Sequence, residues 1–195
     1  NMGLDIFEII KIAKTKPYGF RPFNPGPGFG GHCIPIDPHY LFWKSRKLGI
    51  SPKFIKLSGE INLHVIQFLI KKIYKVLKKY PKKNKNNKIL ILGLAYKKNM
   101  DDMRESASLK LIEHLRKRGF LNIFYHDPHI KSFQIKKSLG AKKINVINSS
   151  NLKKFDLVIL MTDHDKFSYK LIYKNSRNII DCRGKYKVDE KVERA

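Results

Sequence analysis

The sequence predicts an α/β protein: a helical region ending in a long connecting helix, then a doubly wound parallel sheet. Three observations predict it. Apolar residues recur at three- and four-residue steps across 52–79, the period of a helix with a buried stripe. A polar, breaker-led run follows, Pro81-Lys82-Lys83-Asn84-Lys85-Asn86-Asn87-Lys88. From Ile89 onward, short apolar runs alternate with amphipathic stretches, the β-α-β-α order that folds into a Rossmann-like parallel sheet with right-handed crossovers. The expected division is 1–80 (helical), 81–88 (linker) and 89–195 (sheet domain).

In chain order, residues 3–14 read as a short helix with Ile6, Ile9, Ile10 and Ala13 on one side. Residues 38–48 read as a helix with Asp37 as N-cap, Pro38 at the first position and Gly49 as the stop. The 52–79 helix carries Leu57, Ile61, Val65, Phe68 or Leu69, Ile73 and Val76, and Ile66, Ile70 and Tyr74 widen the stripe. Such width fits either deep burial in one domain or contact with two bodies, such as its own domain and a second subunit. Strands are expected at Ile89–Leu92, Asn122–His126, Ile144–Ile147, Leu157–Met161 and Asn178–Asp181. Helices are expected at Ser106–Arg118, capped by Ser106 and stopped by Gly119, at Lys131–Leu139 and at Lys166–Tyr173.

The 195 residues suffice for a real core in one or two domains, and an apolar content of 42% is ordinary for a globular chain. No apolar run approaches the roughly 18 residues of a membrane span, and the amphipathic, acid-containing start does not resemble a signal peptide. Two cysteines, Cys33 and Cys182, make no disulfide framework, so a reducing, cytoplasmic setting is expected. Net charge is +25, from 41 basic and 16 acidic residues. The lysines are spread along the chain and accompany abundant Asn and Ile, as AT-rich codons produce. No nucleic-acid motif appears, so weak, salt-sensitive binding is expected rather than specific recognition.

The chemistry concentrates at Pro25-Gly26-Pro27-Gly28-Phe29-Gly30-Gly31-His32-Cys33-Ile34-Pro35-Ile36-Asp37-Pro38. Glycines admit close backbone approach, and prolines fix φ, so the loop has the preset shape a nucleophile needs. An ordinary loop holding a small buried cysteine is the plain alternative. The segment lacks the Gly-Lys-Ser/Thr of a phosphate-binding loop. It also fails the dinucleotide fingerprint, because no apolar strand precedes it and Pro35 and Pro38 are expected to interrupt a following helix. His32, Cys33, Asp37 and His39 match no zinc spacing, and adjacent Cys33 and His32 make a poor proton-transfer dyad. Gly93-Leu94-Ala95-Tyr96-Lys97-Lys98-Asn99-Met100-Asp101-Asp102-Met103-Arg104-Glu105-Ser106 leaves the first strand where open parallel sheets bind ligands. Lys97 there is placed to meet a phosphate or sugar hydroxyl. The later fingerprint glycines are missing, which argues against a dinucleotide in this domain. Asp101 and Asp102 read as loop-ordering acids, and Asp127 as a turn aspartate.

Both long motifs, in this order and joined by a helical stretch, resemble the UDP-glucose/GDP-mannose dehydrogenase family. The resemblance covers essentially the whole chain. It implies a two-step, NAD-dependent oxidation of a UDP-sugar C6 alcohol to the uronate, through a thiohemiacetal and a thioester on Cys33. Asp37 is implied to orient the hydrolytic water, and Phe29 and Gly30 to set backbone against the sugar. Tyr96, Lys97 and Arg183 are implied at the nucleotide sugar, and Arg104 near the cofactor diphosphate. The 52–79 helix is implied to form much of a homodimer interface, and surface polysaccharide synthesis is the setting the family suggests. The family's N-terminal NAD-binding domain, with catalytic lysine and asparagine, is expected upstream of Asn1, so this chain alone is expected not to turn over NAD⁺. Ile36 replaces the lysine usual in glucose-specific members, and the His-Cys-Ile-Pro-Ile-Asp-Pro form resembles the branch acting on UDP-N-acetylhexosamines such as UDP-N-acetylglucosamine. A non-catalytic UDP-sugar-binding module and a basic nucleic-acid-binding protein are the alternatives.

Overall fold

The computed structural model describes residues 3–80, 82–130 and 140–195, and the expected helix Lys131–Leu139 lies outside them. Three helices come first: α1 (Ile6–Ala13), α2 (Cys33–Lys47) and α3 (Lys53–Leu77). Then follow β1 (Lys88–Leu92), α4 (Ala107–Lys117), β2 (Asn122–His126), β3 (Lys142–Lys143), α5 (Ser149–Leu152), β4 (Leu157–Leu160), α6 (Tyr169–Asn175), β5 (Ile179–Asp181) and β6 (Val192–Arg194).

Ile89 to Leu92 are all fully buried, because β1 is central and helices cover both faces of the sheet. The strand order is β3-β2-β1-β4-β5-β6 and every pairing is parallel, so the predicted Rossmann-like sheet is observed. Chain direction across the sheet reverses between β1 and β4, which places a crevice beyond their carboxyl ends. On one face, Ile89, Ile91, Ile123, Leu157 and Ile159 meet Ile70 and Ile73 of α3 and Leu111 and Leu115 of α4. On the other, Leu90, Leu92, Val158 and Leu160 meet Leu152 of α5 and Ile172 of α6. The C-terminal half of α3 thus belongs to the packing of the sheet.

The long helix matches its expected span within two residues, but only its second half is buried. Leu57 and Ile61 of the expected stripe are more than half exposed. The polar run after α3 is anchored: Asn84 Nδ2 donates to the Tyr74 hydroxyl and the Arg118 carbonyl, and Lys82 pairs with Asp156 at 2.6 Å. Ser106 caps α4 as expected, accepting from the Ser108 N–H.

Several expectations need correction. The second helix begins at Cys33, not Pro38, and Asp37 lies inside it rather than capping it. Prolines are tolerated near a helix start because the first N–H groups have no intrahelical acceptor, and Pro35 falls within that turn; Pro38, just beyond it, remains helical. The first helix is shorter than 3–14 and buries no residue; Ile6 and Ile9 are exposed while Phe7 packs on Gly184. The third strand is only Lys142–Lys143, an edge strand pairing with β2 alone, although Ile144 and Ile147 still pack on the core. The last helix starts at Tyr169 rather than Lys166, because His164, Asp165 and Phe167 are taken up in the turn leaving β4. α5 and β6 have no counterpart among the expectations.

The asymmetry along the helices gives a direct test. Leu115→Ala, in the core, should cost about 2–5 kcal/mol in urea unfolding. Lys71→Ala, with Lys71 exposed on the second half of α3, should stay within about 0.5 kcal/mol of the parent.

Candidate active site

Residues 26–31 lie over the turns that leave β1, β4 and β5 and lead toward α2. Two hydrogen bonds fix them. The Phe29 N–H donates to Asn62 Oδ1 on α3 at 3.1 Å, and the Gly31 N–H donates to the Arg104 carbonyl at 2.8 Å. Contact at Gly30 is tight enough to require glycine, since a Cβ there would stand 2.6 Å from Tyr96 Cβ and 3.0 Å from the Glu105 carbonyl oxygen; Gly26 lies against the Arg183 guanidinium. The expected residues Gly30, Tyr96 and Arg183 are therefore brought together at the β1/β4 crevice, while Phe29 is tied by its N–H to α3.

Cys33 is exposed and occupies the first position of α2, where unpaired N–H groups and the helix dipole favour an anion. Asp37 follows one turn later, so both project from the same helix face. Arg104 lies within electrostatic reach of Cys33 and Tyr96. Its guanidinium is held by Asp102 through Nε at 2.9 Å and Nη2 at 2.6 Å, and that pairing raises the Arg104 pKa and lowers that of Asp102. Asp102 is thus the loop-ordering acid expected.

Arg183 is the most telling cation. Burial lowers its pKa, yet its only hydrogen bond from the guanidinium among the described residues runs from Nε to the Met161 carbonyl at 2.6 Å. No carboxylate pairs with it among the described residues, so its terminal nitrogens are left to face Gly26 and the crevice. Asp181 sets the turn that carries it, accepting from the Arg183 and Tyr186 N–H groups at 2.8 and 2.9 Å. Lys97 is exposed, without a protein partner among the described residues. No group of three or more His, Cys, Asp or Glu among the described residues is placed to hold a metal ion.

Two features escaped the sequence reading. Asn62, the tether of the glycine loop, is one polar residue in a helix read for its apolar stripe. Asp127, read as a turn aspartate, accepts from the N–H groups of Leu94, Ala95, His129 and Ile130 and from the ring of fully buried His164. Burial pushes its pKa up, but the bonds from His164, Ala95 and His129 outweigh that and hold it below the ordinary carboxylate value. Because Asp127 consumes the Leu94 and Ala95 N–H groups, and Thr162 crowds Gly93, the β1 turn has no free cradle for a dinucleotide diphosphate.

An open parallel sheet with Arg183 at its carboxyl-end crevice, and an exposed cysteine at the start of α2, defines an α/β protein with a candidate binding crevice and a candidate thiol nucleophile. Comparison with known proteins is specific. Residues 90–188 match the UDP-binding domain of the UDP-glucose/GDP-mannose dehydrogenase family, and residues 1–64 match its central domain. The chain belongs to that family. A UDP-N-acetyl-D-mannosamine dehydrogenase of Methanococcus vannielii is 32% identical over 166 residues, covering 85% of this chain and 35% of that protein. An NDP-N-acetyl-D-galactosaminuronic acid dehydrogenase of Ralstonia solanacearum is 27% identical, covering 94% of this chain and 41% of that protein. Among solved structures, a UDP-D-ManNAc dehydrogenase from Pyrococcus horikoshii superposes with a TM-score of 0.78 at 26% identity, covering 98% of this chain and 44% of that one. The chain therefore spans less than half the length of these relatives. Among the described residues no helix is long and apolar enough to cross a membrane.

Ionised Asp127 predicts an acid sensitivity. Its folded pKa is depressed, so its stabilisation is complete above the unfolded value of about 3.9 and is lost as pH falls below it. Asp127→Asn should lower unfolding free energy at pH 7 by about 1–3 kcal/mol, and the gap should narrow as urea titrations move below about pH 4.

Proposed function

We propose that this chain is the nucleophile-bearing and UDP-sugar-binding part of an NAD-dependent nucleotide-sugar 6-dehydrogenase acting on a UDP-N-acetylhexosamine. The observation that carries the reading is Cys33 at the start of α2, on a loop bonded through Gly31 to the carbonyl of Arg104. That bond joins the two segments to which the chemistry is assigned. Arg183, half-buried without a carboxylate partner among the described residues, and exposed Lys97 are assigned to the diphosphate and sugar, and Tyr96, Phe29 and Gly30 are assigned to the wall against which the sugar lies. Ile36, half-buried on α2, replaces the lysine of glucose-specific members and supports an N-acetylated sugar.

Cys33 adds as thiolate to the C6 aldehyde, forming the C–S bond of a thiohemiacetal whose oxygen takes up a proton. When the derived thioester is hydrolysed, Asp37, on the same helix face, orients the attacking water and Cys33 leaves as thiolate. NAD⁺, when bound, would supply the hydride acceptor for the oxidations. The β1 turn offers it no dinucleotide cradle, and Arg104 is its candidate contact on this chain. The domain division at 81–88 and a cytoplasmic setting are part of the same reading.

Calorimetric titration at moderate salt tests the crevice. UDP-N-acetylglucosamine, UDP-N-acetylmannosamine and UDP should bind saturably, UDP-glucose more weakly, and Arg183→Ala should weaken all of them by about tenfold or more. Binding that is indifferent to Arg183 and collapses steeply with salt would favour a nonspecific polyanion surface instead.

We also propose a homodimer through α3, whose N-terminal half exposes Phe54, Leu57 and Ile61. Sedimentation should show a dimer for the parent chain and a monomer for the double variant Leu57→Glu, Ile61→Glu; an unchanged parent-like dimer would place the interface elsewhere.

A further inference from the structure

The most constrained part of the molecule outside the reacting groups is the loop of residues 94–105. Two of its residues other than glycine hold positive φ, Asn99 at 58° and Glu105 at 52°. Such conformations persist only where the surroundings over-determine them. At its start, the Leu94 and Ala95 N–H groups donate to Asp127 Oδ2 at 2.7 and 3.0 Å, and the Ala95 carbonyl accepts from the Thr162 hydroxyl at 2.6 Å. At its middle, the Asn99 N–H donates to His164 Nδ1 at 3.0 Å, which leaves the ring proton on Nε2 to donate to Asp127 Oδ2 at 3.0 Å. The Asn99 side chain exchanges two bonds with Asp165, at 2.6 and 3.0 Å. One imidazole therefore links the carboxylate that fixes the beginning of the loop to the backbone that fixes its turn. Between those two points lie Tyr96 and Lys97.

A purely packing role is a poor account of this pair. Asp127 and His164 have fully buried side chains, and a carboxylate is costly to bury unless its bonds are satisfied. An apolar pair would fill the same space without that cost, but could not fix the Leu94, Ala95 and Asn99 N–H groups.

We propose that Asp127 and His164 are positioning residues that set the geometry of the 94–105 loop and thereby the affinity of the crevice for a nucleotide sugar. The inference rests on the nucleotide-sugar reading of the crevice. Neither residue touches the ligand; they act through Tyr96 and Lys97.

The test pairs two readouts on this chain: amide hydrogen exchange without ligand, and calorimetric titration with UDP-N-acetylglucosamine. His164→Leu removes both bonds. It should speed exchange at Ala95 and Asn99 by about tenfold and weaken binding by about tenfold, the scale of one lost buried hydrogen bond. His164→Gln keeps a donor for Asp127 and should recover binding to within about threefold of the parent. Leu115→Ala, a destabilising change in the core remote from the loop, should leave affinity unaltered. Should His164→Leu fail to fold, His164→Gln and His164→Asn, each retaining one of the two bonds, carry the comparison. Unchanged exchange at Asn99, unchanged affinity in a folded His164→Leu chain, or an equal loss in Leu115→Ala would each overturn the proposal. If the parent itself binds no UDP-N-acetylglucosamine, the crevice reading fails and takes the affinity half with it, while exchange still decides whether His164 sets the loop.

Discussion

Strands that all run the same way deliver their carboxyl ends to one edge of the sheet, and the backbone leaving each must be satisfied there without water. Buried aspartates meet that demand. Asp127 gathers the N–H groups leaving β1 and β2, and Asp181 gathers those of the turn after β5 together with the guanidinium of Arg194. Asp156 does the same at the opposite edge, accepting from the Lys88 N–H and pairing with Lys82. With those bonds made, the turns keep one shape, and the glycine loop of residues 26–31 has a fixed surface on which to lie. Phe29, Gly31 and the sulfur two residues beyond are placed by that surface more than by the helices around them.

Much of the sheet was legible because buried parallel strands write themselves as short unbroken apolar runs. Ile89–Leu92, Asn122–His126 and Leu157–Met161 fall within a residue of β1, β2 and β4. Edge elements were not: two lysines form β3 through a pairing with one neighbour, and β6 depends on a register with β5 that no local pattern encodes. The start of α2 was misread for a physical reason. Proline was weighed as a breaker, whereas the first turn of a helix has no amide hydrogen bond for Pro35 to remove. The loop that carries Cys33 was visible from its Gly, Pro and Cys content. Its supports were not, because Asn62 and His164 act at sequence separations of 33 and 65 residues from the groups they hold.

The acid residues, far fewer than the bases, are largely committed to structure. Asp5 caps α1 and pairs with Arg194, Asp102 holds Arg104, Asp165 binds Lys98 and Asn99, and Glu193 takes Lys72 and Lys75. Little negative charge is left to balance the lysines, so the excess of positive charge lies at the surface and the acids act as local ties, some buried and some, like Asp165, exposed. Surface charge and fold are therefore nearly independent in this molecule. Lysine replacements far from these ties alter its attraction to polyanions more than its architecture.

The two cysteines sit in opposite environments. Cys182 is buried against Met161, and burial pushes its thiol pKa up to about 12, whereas Cys33 stands in solvent at the head of a helix. A thiol-directed fluorophore at neutral pH will therefore attach at a single place without any engineering of the chain. The dye would sit at the head of α2, within electrostatic reach of Arg104, where its emission reports on the surroundings of that helix start.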